Sequence, residues 1–145
     1  MAIYDYLPKF NYIEPNNLKG LQPGFVVAQE DRVDSSLLKD GMMENGKICT
    51  LTENGIVPGT AESRALFIHY TEPLNTIYNS DKFFAVKVAD ECPRLVQLIP
   101  GDEWMSTDPD CAIEGRIIKV TSETGWYGVK TMANGDKGYH YVFLG

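Results

Sequence analysis

Asn-Gly occurs three times in 145 residues, at Asn45-Gly46, Asn54-Gly55 and Asn134-Gly135, and each pair sits beside short apolar or alternating runs. The pair is a strong short-range signal for a β-hairpin. Asn and Gly both tolerate the positive φ that a type I′ turn needs at its two central positions, and the twist of that turn matches the twist of the strands it joins. Three such pairs in so short a chain predict a β protein with type I′ hairpins.

The runs between the turns agree. Strands are expected over Phe25 to Gln29, Lys47 to Thr52, Ala65 to Tyr70, Phe83 to Ala89, Arg94 to Ile99, Ile113 to Thr121, Trp126 to Met132 and Tyr139 to Leu144. In Ala65 to Tyr70, Leu66, Ile68 and Tyr70 alternate with Ala65, Phe67 and His69, the period of two that a pleated strand imposes. Pro93 and Pro100-Gly101 bound the Arg94 run, because proline supplies no amide donor to a ladder. Helix is scarce: Ser35 to Lys39 fits a turn and a half, with Asp34 as N-cap and Gly41 as stop. The fold class expected is all-β, a compact β-sandwich or small β-barrel of about eight short antiparallel strands.

Residues 1–24 differ in character from the rest of the chain. Tyr4, Tyr6, Phe10 and Tyr12 are interleaved with Pro8, Pro15 and Pro23, and Asn16-Asn17 and Gly20 break any regular period. The segment reads as an extended N-terminal arm preceding a single β domain over 25–145. Its aromatics either cover the open end of the domain's own core or reach another chain, since tyrosine offers a large amphipathic contact with few rotors to freeze.

Charge and cysteine content narrow the function classes. There are 13 Lys+Arg against 20 Asp+Glu, a formal net charge of -7. Nucleic acid and anionic membrane surfaces reward clustered Lys and Arg, so neither is expected as a partner. Cys49, Cys92 and Cys111 are odd in number and lack the paired spacing of a disulfide framework or a zinc site, which predicts three reduced thiols. Met1 to Phe10 carries Asp5, Pro8 and Lys9 without a basic region followed by an apolar run, so synthesis in a cytoplasm without a standard export signal is expected.

Few residues offer chemistry. His69 and His140 alternate with apolar neighbours on expected strands, and both read as strand residues with local hydrogen bonds rather than as general bases. The serine-hydrolase elbow and the zinc-peptidase histidine motif are missing. Asp102, Glu103, Asp108 and Asp110 crowd a loop around Trp104. Hard cations take oxygens from such loops, but the glycine and downstream glutamate of the EF-hand pattern are lacking, and the carboxylates read as solvated loop charge. Trp104 is either a stacking surface or a buried anchor. No catalytic residue, cofactor or metal is expected.

A resemblance adds a direction. The segment Gly41 to Gly55, with Asn45-Gly46 and Asn54-Gly55 at its turns and Ile56-Val57-Pro58-Gly59 after it, resembles a stretch of the capsid decoration, or cement, proteins of tailed bacteriophages. Cys92 to Thr107, through Pro93-Arg94-Leu95, Gly101-Asp102 and Thr107, is similar to a second stretch, and Gly125 to Met132 resembles a closing strand. The resemblance implies a compact β domain on the outside of the virion that binds the major capsid protein and stabilises contacts between capsomers, often as a homotrimer. The expected activity is therefore structural, not enzymatic. The alternative is a carbohydrate- or receptor-binding β-sandwich, fibre-like and also without enzymatic activity. Interface candidates are Tyr4, Tyr6, Phe10, Tyr12 and Trp104.

Overall fold

A computed structural model describes residues 11, 13–21, 27–71, 85–89, 92–121 and 139–145. Within them the chain is all-β. Twelve strands run β1 (Ile13–Asn17), β2 (Val27–Gln29), β3 (Leu38–Lys39), β4 (Met42–Glu44), β5 (Ile48–Thr52), β6 (Gly55–Pro58), β7 (Phe67–His69), β8 (Ala85–Lys87), β9 (Arg94–Gln97), β10 (Glu103–Ser106), β11 (Ile117–Thr121) and β12 (Tyr139–Phe143). The helical content described is two single 3-10 turns, Lys19–Leu21 and Ser35–Leu37. Asp34 caps the second as expected, its carboxylate accepting from Ser36 N, which holds that carboxyl below its usual pKa.

The strands form three antiparallel sheets: sheet A, ordered β1-β10-β12-β11; sheet B, ordered β2-β9-β7-β5-β6; and sheet C, ordered β3-β4-β8. The register Ile48↔Ile68↔Val96 puts three apolar side chains on one face of sheet B, and Cys49↔Phe67 with His69↔Leu95 puts the next set on the other. Both faces are covered. Leu66, Ile68, Val96 and Leu98 pack with Ile13, Trp104, Ile117, Tyr141 and Phe143 of sheet A. On the opposite side Cys49, Ile56, Phe67 and Leu95 pack with Leu37 and with Met43 of sheet C. Sheet B is the middle of three layers, which is why Phe67, Ile68 and His69 are all buried. The alternation read from Ala65 to Tyr70 thus sorts two cores, not core from solvent.

The hairpin expectation needs a correction. Gly46 and Gly55 have φ of +97° and +100°, but Asp40 is the one non-glycine described with positive φ. Asn45 and Asn54 therefore do not occupy the left-handed region, and neither turn is type I′, which requires positive φ at both central residues. In the β5–β6 hairpin Glu53 and Asn54 form the turn and Gly55 opens β6 opposite Thr52, so glycine alone supplies the left-handed step.

Residues 13–21 also depart from the expected arm. Ile13–Asn17 pairs with β10, and Ile13 and Leu18 belong to the core between sheets A and B. Pro15 and Asn16 looked incompatible with a strand. They fall where the β1–β10 register shifts between Glu14 and Asn17, on the outermost strand of sheet A, a place where a missing amide donor breaks no central ladder. Tyr4, Tyr6, Phe10 and Tyr12 lie outside the described residues, as do Trp126 to Met132 and Asn134-Gly135.

Candidate functional site

The acidic run expected as a loop is rebuilt by the fold. Glu103–Ser106 is strand β10, paired on both sides inside sheet A. Asp102 is fully buried, and its carboxylate accepts from Lys19 N at 3.1 Å and Ile99 N at 2.8 Å. Glu103 Oε1 meets His140 Nε2 at 3.1 Å. Asp108 Oδ1 accepts from Asp110 N at 2.9 Å. These carboxylates are distributed among separate tasks, and among the described residues no group of three or more His, Cys, Asp or Glu is disposed to hold a metal ion. Trp104 is fully buried and stacks on Tyr141 with ring centroids 5.8 Å apart. It is a core anchor, and as an interface candidate it is withdrawn, because it presents no side-chain surface.

His69 is an ionisable group fully enclosed by the fold. Its Nδ1 lies 2.8 Å from Glu44 O and its Nε2 lies 2.8 Å from Thr71 Oγ1. A carbonyl only accepts, so Nδ1 carries the proton; in the neutral ring Nε2 then accepts from the Thr71 hydroxyl. Thr71 Oγ1 in turn accepts from Arg94 N at 2.9 Å, and Thr71 N donates to Asn45 Oδ1 at 3.0 Å. The backbone closes the ring of contacts, with Gly46 N donating to His69 O and His69 N donating to Lys47 O. Burial pushes the imidazole pKa down to about 4, against a smaller opposing effect from the Glu44 carbonyl. With both nitrogens committed, His69 is a structural clasp between sheets B and C. The carboxylate of the same Glu44 accepts from Asn11 N, and Asn11 Oδ1 accepts from Thr107 Oγ1 at 3.0 Å, so the chain is tied down immediately before β1.

The thiols are equally enclosed. Cys49 is buried against Phe67 O and burial pushes its pKa up to about 12; Cys111 is buried against Gly46 O and is raised by burial first and by the Asp108 charge second. Thiols in such surroundings stay protonated at neutral pH and are poor nucleophiles. Cys92 is exposed and free.

Among the described residues two surface features remain. One is a cleft of about 340 Å³ whose lining includes Lys47, Ile48, Gly59, Asp108, Cys111 and Ile113. Tyr141 fixes one wall: its hydroxyl donates to Asp108 O at 2.6 Å and accepts from Cys111 N at 3.4 Å. The other is an apolar row on sheet A. Ile117 is buried at 1% exposure while its neighbour Ile118, opposite Val142, is 42% exposed. Val120, at the register irregularity between Lys119 and Thr121, is 53% exposed, and Leu144 just beyond β12 is 51% exposed. The sequence carried a signal for this row. Two consecutive isoleucines in a strand must face opposite ways, so when one enters a core the other does not unless a second layer covers it.

Comparison with protein-family models, with curated proteins and with solved structures finds no match to this chain.

Proposed function

We propose that this protein is a structural binding module that docks on the outer surface of an assembled viral capsid and stabilises contacts between capsomers, acting without catalysis. The observation that carries the reading is the apolar row Ile118, Val120 and Leu144, held on a three-layer β body. Solvent-facing apolar groups on a rigid strand give a docking patch with little ordering cost. The enclosed state of His69, Cys49 and Cys111 fits a body whose ionisable groups serve packing. A protein that binds the assembled lattice and not its free parts stabilises that lattice by mass action, and repeated copies around a shell add by multivalency. The net charge of -7 favours solubility before docking. Assembly as a homotrimer and a place on the virion exterior belong to the same proposal.

The cleft beside Asp108 favours a second reading, a carbohydrate- or receptor-binding module, because its volume lies within the range of roughly 300–1,000 Å³ common for small-molecule sites. One experiment separates the two. Co-sedimentation with shells lacking the protein is expected for the native chain and lost for the double variant Ile118→Asp, Val120→Asp with an unchanged melting temperature. Failure of the native chain to sediment, together with a glycan-array hit lost on substitution at Ala112 in the cleft lining, would replace the first reading by the second.

A further inference from the structure

We propose that Asn54 is a site of spontaneous modification, deamidating through a cyclic imide formed with Gly55, and that the chemically identical pair Asn45-Gly46 is protected by the fold. In this reaction the backbone nitrogen of the glycine attacks Cγ of the asparagine, the C–N bond of the side-chain amide breaks and ammonia leaves. Water then opens the five-membered imide at either carbonyl. One opening gives aspartate; the other gives isoaspartate, in which the main chain runs through the β-carbon and is one methylene longer. Water is the one co-reactant. Glycine is the neighbour that least hinders attack, having no side chain.

The two asparagines meet opposite environments, although both glycines are buried. Asn45 is 3% exposed, and its Oδ1 accepts from Thr71 N at 3.0 Å. The Gly46 nitrogen, which would have to attack, donates to His69 O at 2.8 Å, and a Cβ on Gly46 would meet Ile13 at 3.2 Å. Asn54 is exposed at the tip of the β5–β6 hairpin, where its backbone N–H donates to Thr52 Oγ1 at 3.1 Å and its side-chain amide has no partner among the described residues. Cyclisation at Asn45 therefore waits on opening of the His69 clasp between two sheets, while at Asn54 it waits only on local displacement of the β5–β6 tip from Arg32, a smaller opening.

The modification is consequential because the hairpin tip is pinned. Ile56 N donates to Arg32 O at 2.7 Å, Asp34 N donates to Ile56 O at 2.8 Å, and Arg32 Nη1 donates to Glu53 O at 3.0 Å. A Cβ on Gly55 would sit 2.4 Å from Arg32 O, so there is no slack at that crossing. An added methylene between residues 54 and 55 displaces these partners; a simple aspartate, which keeps the chain length, does not.

The test is peptide mapping by mass spectrometry of the native full-length protein incubated at mildly alkaline pH, with an isoaspartate-specific assay, beside the same chain in denaturant. In denaturant both pairs convert alike. In the native protein conversion at Asn54 outpaces that at Asn45 on the order of tenfold or more, and Thr71→Val, which removes part of the clasp, raises the rate at Asn45 alone. Hydrogen exchange at the amides of Ile56 and Asp34 quickens in the isoaspartate form and not in Asn54→Asp. Equal native rates at the two pairs, or an Asn54 that stays intact while the denatured chain converts, would overturn the site assignment. Unchanged exchange at Ile56 and Asp34 in the isoaspartate form would overturn the consequence.

Discussion

The two faces of sheet B are held by different physics. Between sheets A and B the contact is large, aromatic and apolar: Trp104, Tyr141 and Phe143 meet Leu66, Ile68 and Val96. Trp104 Nε1 is buried there without a hydrogen-bond partner among the described residues. Between sheets B and C the apolar cluster is smaller, Met43, Cys49, Ile56, Phe67, Leu95 and Leu37, and beside it sits the His69 clasp with every nitrogen of the ring bonded. The first interface draws its strength from area and shape. The second adds directed hydrogen bonds, which fix one arrangement of the sheets but bring a titratable group inside. Area burial is indifferent to pH, whereas a buried neutral histidine is not.

The largest effect expected from breaking this contrast is at Trp104. Truncation to alanine removes the ring stacked on Tyr141 and leaves a cavity where two layers meet, which costs on the order of 3–5 kcal/mol. Chemical denaturation of Trp104→Ala at neutral pH measures it. A loss below about 1 kcal/mol would mean that the A–B interface is not the stronger one.

Acid should strike the other face. His69 titrates near 4 in the folded protein and near 6.5 in the unfolded chain. The unfolded state therefore takes up a proton first as pH falls. The stability that His69 contributes is complete above pH 6.5, declines between 6.5 and 4, and amounts to about 3 kcal/mol. Stability measured at pH 7 and pH 5 should differ in that direction, and the His69 ring resonances should not shift over that interval. Hydrogen exchange should show amides of β4 and of the Asn45-Gly46 turn losing protection before those of β10 and β12. A His69 that titrates near 6.5 in the native protein would end this part of the comparison.

How much of this is legible in the sequence depends on which partner a residue needs. The all-β class follows from turn chemistry and period-two runs, and Leu66/Ile68 against Ala65/Phe67 fall on opposite faces as their alternation requires. Those are local properties of the chain. That both faces are buried depends on sheet C, whose short strands Leu38–Lys39 and Met42–Glu44 carry too few residues to display a period. Strand β1 escapes a sequence reading because its Pro15 and Asn16 sit at an irregular edge position, and β10 because its Glu103 and Ser106 read as loop until Trp104 is seen to face a core. The His69 clasp is foreseeable only as a local hydrogen bond. Its partners Glu44 and Thr71 lie 25 residues before it and two after, and the first is brought in by the sheet B to sheet C crossing. The exposed apolar residues at Ile118 are hidden for a different reason: they include no aromatic residue, and their exposure depends on no further described layer packing on that face of sheet A.

Thr71 tests the clasp more finely. Thr71→Val keeps the shape but leaves His69 Nε2 without its donor and Arg94 N without its acceptor, both in buried or half-buried positions. A cost of about 1–3 kcal/mol is expected, smaller than that of Trp104→Ala, with the pH dependence between 6.5 and 4 altered in the same variant. A variant as stable as the native chain would show that packing alone joins sheets B and C.

The smallest effect, and the one that most sharpens the contrast, is Trp104→Phe. The substitution shrinks the ring, which costs packing against Tyr141, but it also removes an indole N–H that is buried without a partner among the described residues, and an unpaired buried donor is itself destabilising by about 1–3 kcal/mol. The two terms oppose each other, and the net change is expected to stay within about 1 kcal/mol. The same logic forbids such an outcome on the other face, where each polar group removed leaves another unsatisfied. If Trp104→Phe costs nearly as much as Trp104→Ala, then the indole nitrogen is bonded in solution and the A–B interface is held by a directed polar contact as well; if it is near neutral, the two faces of sheet B differ in kind and not merely in size.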